Sequence, residues 1–282
     1  MRILVTGAAG MLGLDLCEAV TAAGNDVCAF PRAELDVTDA GAVGLAIRTT
    51  GPDVIVNCAA WTDVDGAESA EDAATAVNGA GAGNLARAAA AAGAWTIHVS
   101  SDYVFDGSKA SPYLESDPTG PASAYGRSKL AGELVVAESA PRAHTIVRSS
   151  WLFGAGGKCF PKTILRLAAA REQLTVVDDQ VGCPTFTGHL AVALIEIAGE
   201  RVPGVVHVAG AGACSWYGFA REIVSSAGLE CEVLPGKTED LDRPAPRPAY
   251  SVLGTERGPA VPLLPDWREG LRAFMAAGVR TA

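Results

Sequence analysis

A glycine-rich loop near the start of the chain places the tightest limit on its fold. The loop, Gly7-Ala8-Ala9-Gly10-Met11-Leu12-Gly13, follows a short apolar run at residues 2–6 and precedes apolar residues at helical spacing from 11 to 23. In this order of strand, turn and helix, the three glycines allow in succession a tight turn, close approach of the backbone to a pyrophosphate, and close packing of helix on strand. We therefore predict a dinucleotide-binding turn, with a plain flexible loop as the alternative.

Short apolar segments and helical stretches alternate through the first 150 residues. Strands are predicted at 2–6, 26–30, 53–57, 95–100 and 144–149. This alternation is typical of the α/β class with a doubly wound parallel Rossmann sheet. The alanine-rich stretch 67–92 has high helix propensity and is predicted to be a packing helix without chemistry.

The pattern loosens after residue 150, with a helix predicted at 160–171 and a short strand at 174–177. We expect residues 1–150 to form the NAD(P)-binding Rossmann domain. Residues 151–282 should form a smaller, mainly substrate-binding part, with segments of about 188–227 returning to the first domain. Ligands bind at the carboxyl ends of the strands in such sheets, so the loops there are the expected site.

Composition limits the partners. A net charge of −10 and a pI near 4.9 argue against nucleic acid or an anionic membrane as a general partner. The absence of a basic-then-apolar leader and of an uncharged apolar stretch of about 18 residues predicts a cytoplasmic protein. Seven scattered cysteines without a Cys-x-x-Cys pair, and four histidines without ligand spacing, predict reduced thiols and no metal site.

Tyr125 and Lys129 lie four residues apart, in Tyr125-Gly126-Arg127-Ser128-Lys129. On a helix this spacing returns to the same face, so both side chains can point into one cleft. An ammonium close to a phenol favours the phenolate and lowers the phenol pKa from its usual value of about 10. The pair predicts a tuned proton donor, and chance occurrence of the spacing is the alternative.

Several motifs follow one another in a fixed order along nearly the whole chain. They are Asn57-Cys58-Ala59-Ala60-Trp61-Thr62-Asp63-Val64-Asp65, Ser100-Ser101-Asp102-Tyr103-Val104-Phe105, Tyr125 to Lys129, Arg148-Ser149-Ser150-Trp151, Asp178-Asp179-Gln180 with Gly182 and Pro184-Thr185, and Arg247-Pro248. In these motifs the chain resembles the extended short-chain dehydrogenase/reductases and, within them, the dTDP-4-dehydrorhamnose reductases. The resemblance implies NAD(P)H-dependent reduction of the C4 ketone of dTDP-4-dehydro-6-deoxy-L-mannose to dTDP-L-rhamnose.

The resemblance also assigns the catalytic residues. Tyr125 would supply the proton to the carbonyl oxygen, Lys129 would lower the tyrosine pKa and hold the nicotinamide ribose, and Ser101 would stabilise the developing negative charge. Many relatives have Thr at the position of Ser101. Because the catalytic role needs only the hydroxyl, we expect Ser to be tolerated there. The alternative for Ser101 is a hydroxyl that caps the end of its strand.

The substrate prediction comprises Thr62, Ser101, Asp102, Trp151 and Arg247. The Trp151 indole would form an apolar wall of the sugar pocket, with a plain core role as the alternative. Arg247, with Arg243, would meet the substrate diphosphate, and a solvated arginine in a proline-rich loop is the alternative. Relatives often have His in place of Trp61, which leaves the exact 4-keto sugar open.

Cofactor choice depends on the end of the second strand, where no acidic residue stands to hold a ribose 2′-hydroxyl. Arg32 can accept a 2′-phosphate instead, so NADPH is favoured, with NADH as the alternative. The full cofactor-binding prediction is Gly7, Gly10, Met11, Leu12, Gly13, Arg32, Asp36, Val37, Ala59, Ala60, Tyr125 and Lys129. Some relatives hold magnesium at a dimer contact, but beyond Asp15 no carboxylate set matches, so no metal is predicted. The sequence does not determine the oligomeric state, and a homodimer is the candidate assembly.

Three other functions stay open at this point. Dehydratases and epimerases of nucleotide sugars share the glycine loop and the Tyr/Lys pair, but dehydratases need an Asp-Glu pair where this chain has Asp102 and Tyr103. A reductase of another NDP-4-keto-6-deoxysugar in natural-product biosynthesis is the second. A regulatory subunit that binds the cofactor and a partner enzyme without catalysis is the third.

Overall fold

The computed structural model describes residues 1–277, and its centre is a six-stranded parallel sheet. The strands are β1 (Arg2–Thr6), β2 (Asp26–Phe30), β3 (Val54–Asn57), β4 (Trp95–Ser101), β5 (His144–Ser149) and β10 (Gly204–His207). Their order is β10-β5-β4-β3-β1-β2 and every pairing is parallel. The order reverses at β1, since β2 lies on one side of it and β3 on the other, and this is the switch point at which such sheets bind ligands.

Helices cover both faces of the sheet. They are α1 (Met11–Ala22), α2 (Ala40–Thr50), α3 (Val64–Ser69), α4 (Glu71–Thr75), α5 (Ala82–Ala92), α6 (Ala124–Ser139) and α8 (Thr187–Glu200). α1 and α8 pack together on one face, where their leucines meet the valines and isoleucines of the sheet. α2, α5 and α6 cover the other face. Because both faces are buried, β1 and β3 read as continuous apolar runs.

A second, smaller layer follows β5. It contains α7 (Phe160–Ala168), α9 (Trp216–Ser226) and α10 (Trp267–Ala276), and the short strands β6 (Leu152–Phe153), β7 (Gln173–Val177), β8 (Val181–Gly182), β9 (Thr185–Phe186), β11 (Cys214–Ser215) and β12 (Glu232–Gly236). β12 pairs with β7, β11 with β8, and β6 with β9. The core of this layer is aromatic, with Phe153, Phe219, Phe274 and Trp267 buried together.

The α/β class and the doubly wound parallel sheet are confirmed. Each of the five predicted strands agrees with an observed strand to within one residue at either end. The segment of about 188–227 was predicted to return to the first domain. In it, α8 packs on α1 beside the large sheet and β10 pairs with β5 within the sheet, whereas α9 packs on α7, β7 and β12. The division of the chain at residue 150 stays a prediction, and residues 278–282 of the predicted second part lie outside the described residues.

The alanine-rich stretch differs from the prediction of one plain packing helix. It is divided into α3, α4, a π-helical turn at Ala76–Gly81, and α5. The wider turn holds the buried Asn78, whose amide donates to the Ser128 hydroxyl at 2.8 Å and whose carbonyl oxygen accepts from the Trp61 backbone N–H at 2.8 Å. The segment therefore carries polar contacts that hold the edge of the site, as π-turns often do.

Candidate active site

A cavity of about 910 Å³ opens at the carboxyl ends of the central strands, beside the switch point. It brings together nearly all of the predicted site residues. Those that line it are Gly7, Gly10, Met11, Leu12, Gly13, Arg32, Asp36, Val37, Ala59, Ala60, Thr62, Ser101, Asp102, Tyr125, Lys129 and Trp151. Arg247 is not among the lining residues.

The glycine loop forms one end of the cavity, and its geometry shows why glycine is needed at these positions. Gly7 has a φ of +64°, and a Cβ there would lie 2.7 Å from the backbone nitrogen of Ala59. A Cβ on Gly13 would overlap the Gly7 carbonyl oxygen. Gly10 is the N-cap of α1 and leaves the first helical N–H groups without a side-chain cap. These free N–H groups and the helix dipole suit a phosphate.

A buried polar network fixes the neighbouring loop after β3. Asn57 accepts from the Thr6 hydroxyl at 2.7 Å and from the Ala59 backbone N–H at 3.1 Å. Its amide nitrogen lies 3.0 Å from Nδ1 of the buried His98. Burial and the Lys129 charge hold the pKa of His98 well below its ordinary value, so the ring is neutral and accepts this bond. The network sets the position of Ala59 against the glycine loop.

The hydroxyl residue at the end of β4 caps a turn and also lines the cavity, while its catalytic role stays a prediction. The Ser101 hydroxyl accepts from the Tyr103 backbone N–H at 3.2 Å and so caps the short 3₁₀ turn Asp102–Val104. The same hydroxyl donates to Oδ1 of Asp102 at 3.0 Å and lines the cavity. Burial raises the pKa of Asp102 to about 6.

Helix α6 presents Tyr125 and Lys129 on one face, as the spacing predicts. The Ser123 hydroxyl starts the helix by accepting from the Gly126 backbone N–H at 3.1 Å. Lys129 is buried, and its ammonium donates to the Val99 carbonyl oxygen at 2.7 Å, which fixes the cation at the end of β4. Burial lowers the pKa of Lys129 to about 8.

The expected lowering of the tyrosine pKa is not found. Burial instead raises the pKa of Tyr125 to about 12, and the nearby Ser101 hydroxyl only partly opposes this shift. The reason is that loss of hydration penalises the phenolate, while the Lys129 ammonium is directed to the Val99 carbonyl. Tyr125 is therefore protonated at neutral pH, which is the state that a proton donor needs.

Two tryptophans form part of one wall of the cavity. Trp151 follows β5 with an unusual φ of +47° and stacks on Trp216 at the start of α9, with ring centroids 3.5 Å apart and planes 3° from parallel. A side chain on Gly182 would come within 2.5 Å of the Trp151 ring. Sequence reasoning did not include Trp216, because it begins a helix of the second layer, 65 residues beyond Trp151.

Sequence reasoning also did not include Lys158, an exposed residue that lines the cavity after the Gly154–Gly157 loop. Gly156 and Gly157 of this loop lie against Met11 at the start of α1. Lys158 is thus the third cation at the cavity, with Arg32 and Lys129. These three charges give an acidic chain a local place for phosphate groups.

Arg247 is not among the residues that line the cavity, and it is held by an acidic partner. Its guanidinium forms two hydrogen bonds to the Asp65 carboxylate, at 2.7 and 3.0 Å, and 9% of its side chain is exposed. The Asp65 carboxylate also accepts from the Ala245 backbone N–H at 3.2 Å. The predicted contact of Arg247 with a substrate diphosphate stays a prediction.

Of the lining residues near the end of β2, Arg32 and Asp36 are exposed and Val37 is buried against Gly81. Hydrogen bonds from the Thr38 backbone and hydroxyl hold the pKa of Asp36 below its ordinary value.

Across residues 1–277 no cluster of three or more His, Cys, Asp or Glu side chains could hold a metal ion. No helix in the same range is long and apolar enough to span a bilayer.

Comparison with known proteins decides the family. The family described as "RmlD substrate binding domain" matches residues 1–279. The chain belongs to this family. It is similar to the dTDP-4-dehydrorhamnose reductase of Mycolicibacterium smegmatis, at 44% identity over 99% of this chain and 86% of that protein.

Two further relatives of this RmlD-family chain bear on substrate and cofactor. A probable dTDP-4,6-dihydroxy-2-methyloxan-3-one 4-ketoreductase of Streptomyces antibioticus is 42% identical over 96% of this chain and 94% of that protein. The crystal structure of the dTDP-4-dehydrorhamnose reductase of Bacillus anthracis in complex with NADP superposes with a TM-score of 0.95, at 38% identity over 98% of this chain and 99% of that one. The fold is therefore that of the family throughout.

Proposed function

We propose that this protein is an NADPH-dependent reductase that converts the C4 ketone of dTDP-4-dehydro-6-deoxy-L-mannose (dTDP-4-dehydro-β-L-rhamnose) into the alcohol of dTDP-L-rhamnose. The observation that carries the proposal is the meeting of Ser101, Tyr125 and Lys129 in one cavity with the glycine loop. Relatives at 44% and 38% identity with the same reductase name support the substrate, and the NADP complex of one of them supports the cofactor. NADH is the alternative reductant.

The cavity residues fit a nicotinamide dinucleotide. The free N–H groups at the start of α1 suit its pyrophosphate, and Arg32 is available for the 2′-phosphate. Within residues 1–277, the buried Ser100 and Ser149 hydroxyls line the cavity without a hydrogen-bond partner, so they are free to bind the carboxamide of a nicotinamide. When bound, the cofactor supplies the hydride.

The reaction then depends on two hydroxyls and one ammonium. Tyr125, which burial keeps protonated, donates its proton to the carbonyl oxygen as negative charge develops there. Ser101, once its hydroxyl turns away from the Asp102 carboxylate, donates a second hydrogen bond to the same oxygen, and this bond is stronger in the transition state than in the ketone. Lys129, fixed by the Val99 carbonyl, holds the nicotinamide ribose and stabilises the phenolate that remains.

The sugar nucleotide would occupy the rest of the cavity. Thr62 and Asp102 offer polar contacts to sugar hydroxyls, and Trp151, backed by Trp216, offers an apolar wall to the deoxy carbon. Arg247 would meet the diphosphate only after releasing Asp65. We further propose that the protein acts in the cytoplasm, as a homodimer, on a nucleotide sugar and not on nucleic acid or membranes.

A related 4-keto sugar is the second candidate substrate. Trp61 stands at the cavity edge where relatives often have His, and its ring is fixed because its indole N–H donates to the Asp63 carbonyl at 2.9 Å. The Streptomyces antibioticus relative, at 42% identity, is named for a different ketone.

A dehydratase fits less well, because Tyr103 offers no second carboxylate beside Asp102. A non-catalytic subunit fits less well, because the proton donor is retained.

The test is NADPH oxidation followed by absorbance, with the substrate generated in place by the upstream dehydratase and epimerase. Turnover with dTDP-4-dehydro-6-deoxy-L-mannose that exceeds turnover with its unepimerised precursor supports the proposal. Turnover with the precursor alone would support the second candidate. Wild-type protein that binds NADPH but reduces neither sugar would overturn the enzymatic proposal and favour the regulatory subunit.

A further inference from the structure

Lys158 is a cavity cation that forms no ion pair within residues 1–277. Its side chain is exposed and lines the cavity after the loop 154–157. The other lysines of the chain each bond to a carboxylate or a backbone carbonyl, and they are Lys109, Lys129, Lys162 and Lys237. A lysine without an acidic partner is ordinary on a surface, but this one lies where other features of the cavity attract an anion.

The loop before Lys158 lies on the first turn of helix α1. A Cβ on Gly156 would lie 2.7 Å from Cδ1 of Leu14 and 3.5 Å from Cα of Met11. A Cβ on Gly157, the residue next to Lys158, would lie 3.5 Å from Cβ of Met11. Because Met11 is the first residue of α1, the loop brings Lys158 to the N-terminal end of that helix.

Bonds from the start of α7 hold the loop in this position. The Lys162 ammonium donates to the Ala155 carbonyl oxygen at 2.7 Å, and the Cys159 thiol donates to the Gly154 carbonyl oxygen at 3.6 Å. The charge of Lys162 is therefore used within the protein. Of the two lysines in this segment, Lys158 is the one whose charge is available to a ligand.

A cation at this end of a helix is unfavourable without an anion. The N-terminus of α1 carries a partial positive charge, its first N–H groups have no side-chain cap, and its first turn contains no acidic residue. Lys158 adds a full positive charge to the same region of the cavity. These two positive features repel each other, whereas a bound diphosphate would attract both.

Buried hydroxyls show independently that this cavity takes a ligand. Ser100 is 5% exposed and Ser149 is 2% exposed, and both line the cavity. Neither hydroxyl has a hydrogen-bond partner within residues 1–277. Buried polar groups are nearly always paired, so both suit a bound molecule. Because the start of α1 lines the same cavity, one ligand can meet these serines and the helix N-terminus.

We propose that Lys158 binds the pyrophosphate of the nicotinamide dinucleotide, so that helix α1 and the second layer hold this group together. The inference rests on the proposed NADPH-dependent function and adds to it a contact from the second layer. A nucleotide sugar also carries a diphosphate, but the contacts of the loop with Met11 place Lys158 at the helix end that suits the cofactor. Arg32, after β2, is then left for the 2′-phosphate.

The Kd values of NADPH, NADH and dTDP test this assignment without turnover. Cofactor fluorescence gives the first two and calorimetry gives the third, for wild type, Lys158→Met and the control Lys237→Met. Lys237 is outside the cavity lining and 70% exposed, so its replacement makes the same change in net charge. Lys158→Met should raise the Kd of NADPH and of NADH by a similar factor of about three to ten, as expected for one charge contact at an exposed group, and leave that of dTDP unchanged.

Two further variants sharpen the assignment. Arg32→Met should raise the Kd of NADPH and leave that of NADH unchanged, because NADH lacks the 2′-phosphate. Lys158→Arg keeps the charge and should bind both cofactors as wild type does. High salt should shrink the loss in Lys158→Met, since salt screens an exposed charge, and a loss that salt does not change would contradict a charge contact.

Three other results would overturn the role of Lys158. A loss confined to NADPH would assign Lys158 to the 2′-phosphate, and a loss for dTDP as large as that for NADH would assign it to the sugar nucleotide. Equal Kd values in Lys158→Met and Lys237→Met would exclude it from both. Wild type that binds both cofactors but reduces no sugar would instead overturn the proposed activity and leave the binding result intact. Wild type that binds neither cofactor would overturn both.

Discussion

Trp151 and Trp216 stack face to face with ring centroids 3.5 Å apart, and this contact joins the end of β5 to the start of α9. The first tryptophan lies at the strand ends that line the cavity, and the second packs on the aromatic core of the second layer. The position of the apolar wall therefore depends on a residue 65 positions away in sequence.

Replacement of Trp216 should weaken substrate binding more than chemistry. In Trp216→Ala the Trp151 ring loses its backing, and we expect the substrate KM to rise by about tenfold, since an aromatic pair is worth about 0.5–1.5 kcal/mol beyond the area it buries. The value of kcat should change less. Steady-state kinetics check this, with Tyr217→Ala, next to Trp216 but outside the cavity lining, as the control. A fall in kcat at constant KM would contradict the assigned role.

Lys129 should make turnover sensitive to alkaline pH. Burial lowers its pKa to about 8, so the ammonium is fully charged below pH 7 and is lost as the pH rises through about 8. We expect kcat/KM for NADPH to fall across that range, since this parameter reports groups of the free enzyme. Lys129→Met should have low activity at every pH and should not show this fall of kcat/KM at alkaline pH. The same fall in the variant would show that another group titrates there.

The Asp65–Arg247 ion pair should stabilise the fold in a pH-dependent way. The hydrogen bonds from Arg247 hold the pKa of Asp65 below its ordinary value, so the stabilisation is present above about pH 4 and is lost as the pH falls through the lowered value. Asp65→Asn leaves the mostly buried guanidinium without its anion and should lower the free energy of unfolding by about 1–2 kcal/mol. Urea unfolding at pH 7 checks this, with Asp242→Asn as the exposed control.

Alanine at Gly13 should abolish NADPH binding, because its Cβ would overlap the Gly7 carbonyl oxygen and displace the turn. Gly199 provides a matched control in α8, since a Cβ there meets nothing within 4 Å. Gly199→Ala should bind NADPH normally and gain up to about 1 kcal/mol of stability from helix propensity. Fluorescence titration with NADPH measures both variants, and normal binding by Gly13→Ala would contradict the glycine assignment.

The parts of the fold that depend on local patterns were predictable. The central strands β1 and β3 are buried on both faces, so continuous apolar runs identify them, and spacings such as that of Tyr125 and Lys129 translate directly into a shared helix face. The π-turn around Asn78 was not predictable, and the Asn78 side chain within it bonds to Ser128, 50 residues away. The same holds for the pairing of Arg247 with Asp65, which are 182 residues apart.

The pKa of Tyr125 shows why a motif does not determine the electrostatics of a site. The motif predicts a cation near the phenol, but burial and the bond from Lys129 to the Val99 carbonyl decide the balance, and both depend on the packed cavity. The outcome is a protonated phenol and a nearby acid, Asp102, with its pKa raised to about 6.

The most direct test of the account compares wild type with Tyr125→Phe in NADPH oxidation on dTDP-4-dehydro-6-deoxy-L-mannose, together with NADPH binding and unfolding of both proteins. The variant keeps the ring and loses only the hydroxyl. We predict unchanged folding, little change in NADPH affinity and a loss of turnover of about 10²–10⁴-fold, the usual worth of general acid catalysis. Near-normal turnover by Tyr125→Phe would contradict the assignment of Tyr125 as the proton donor.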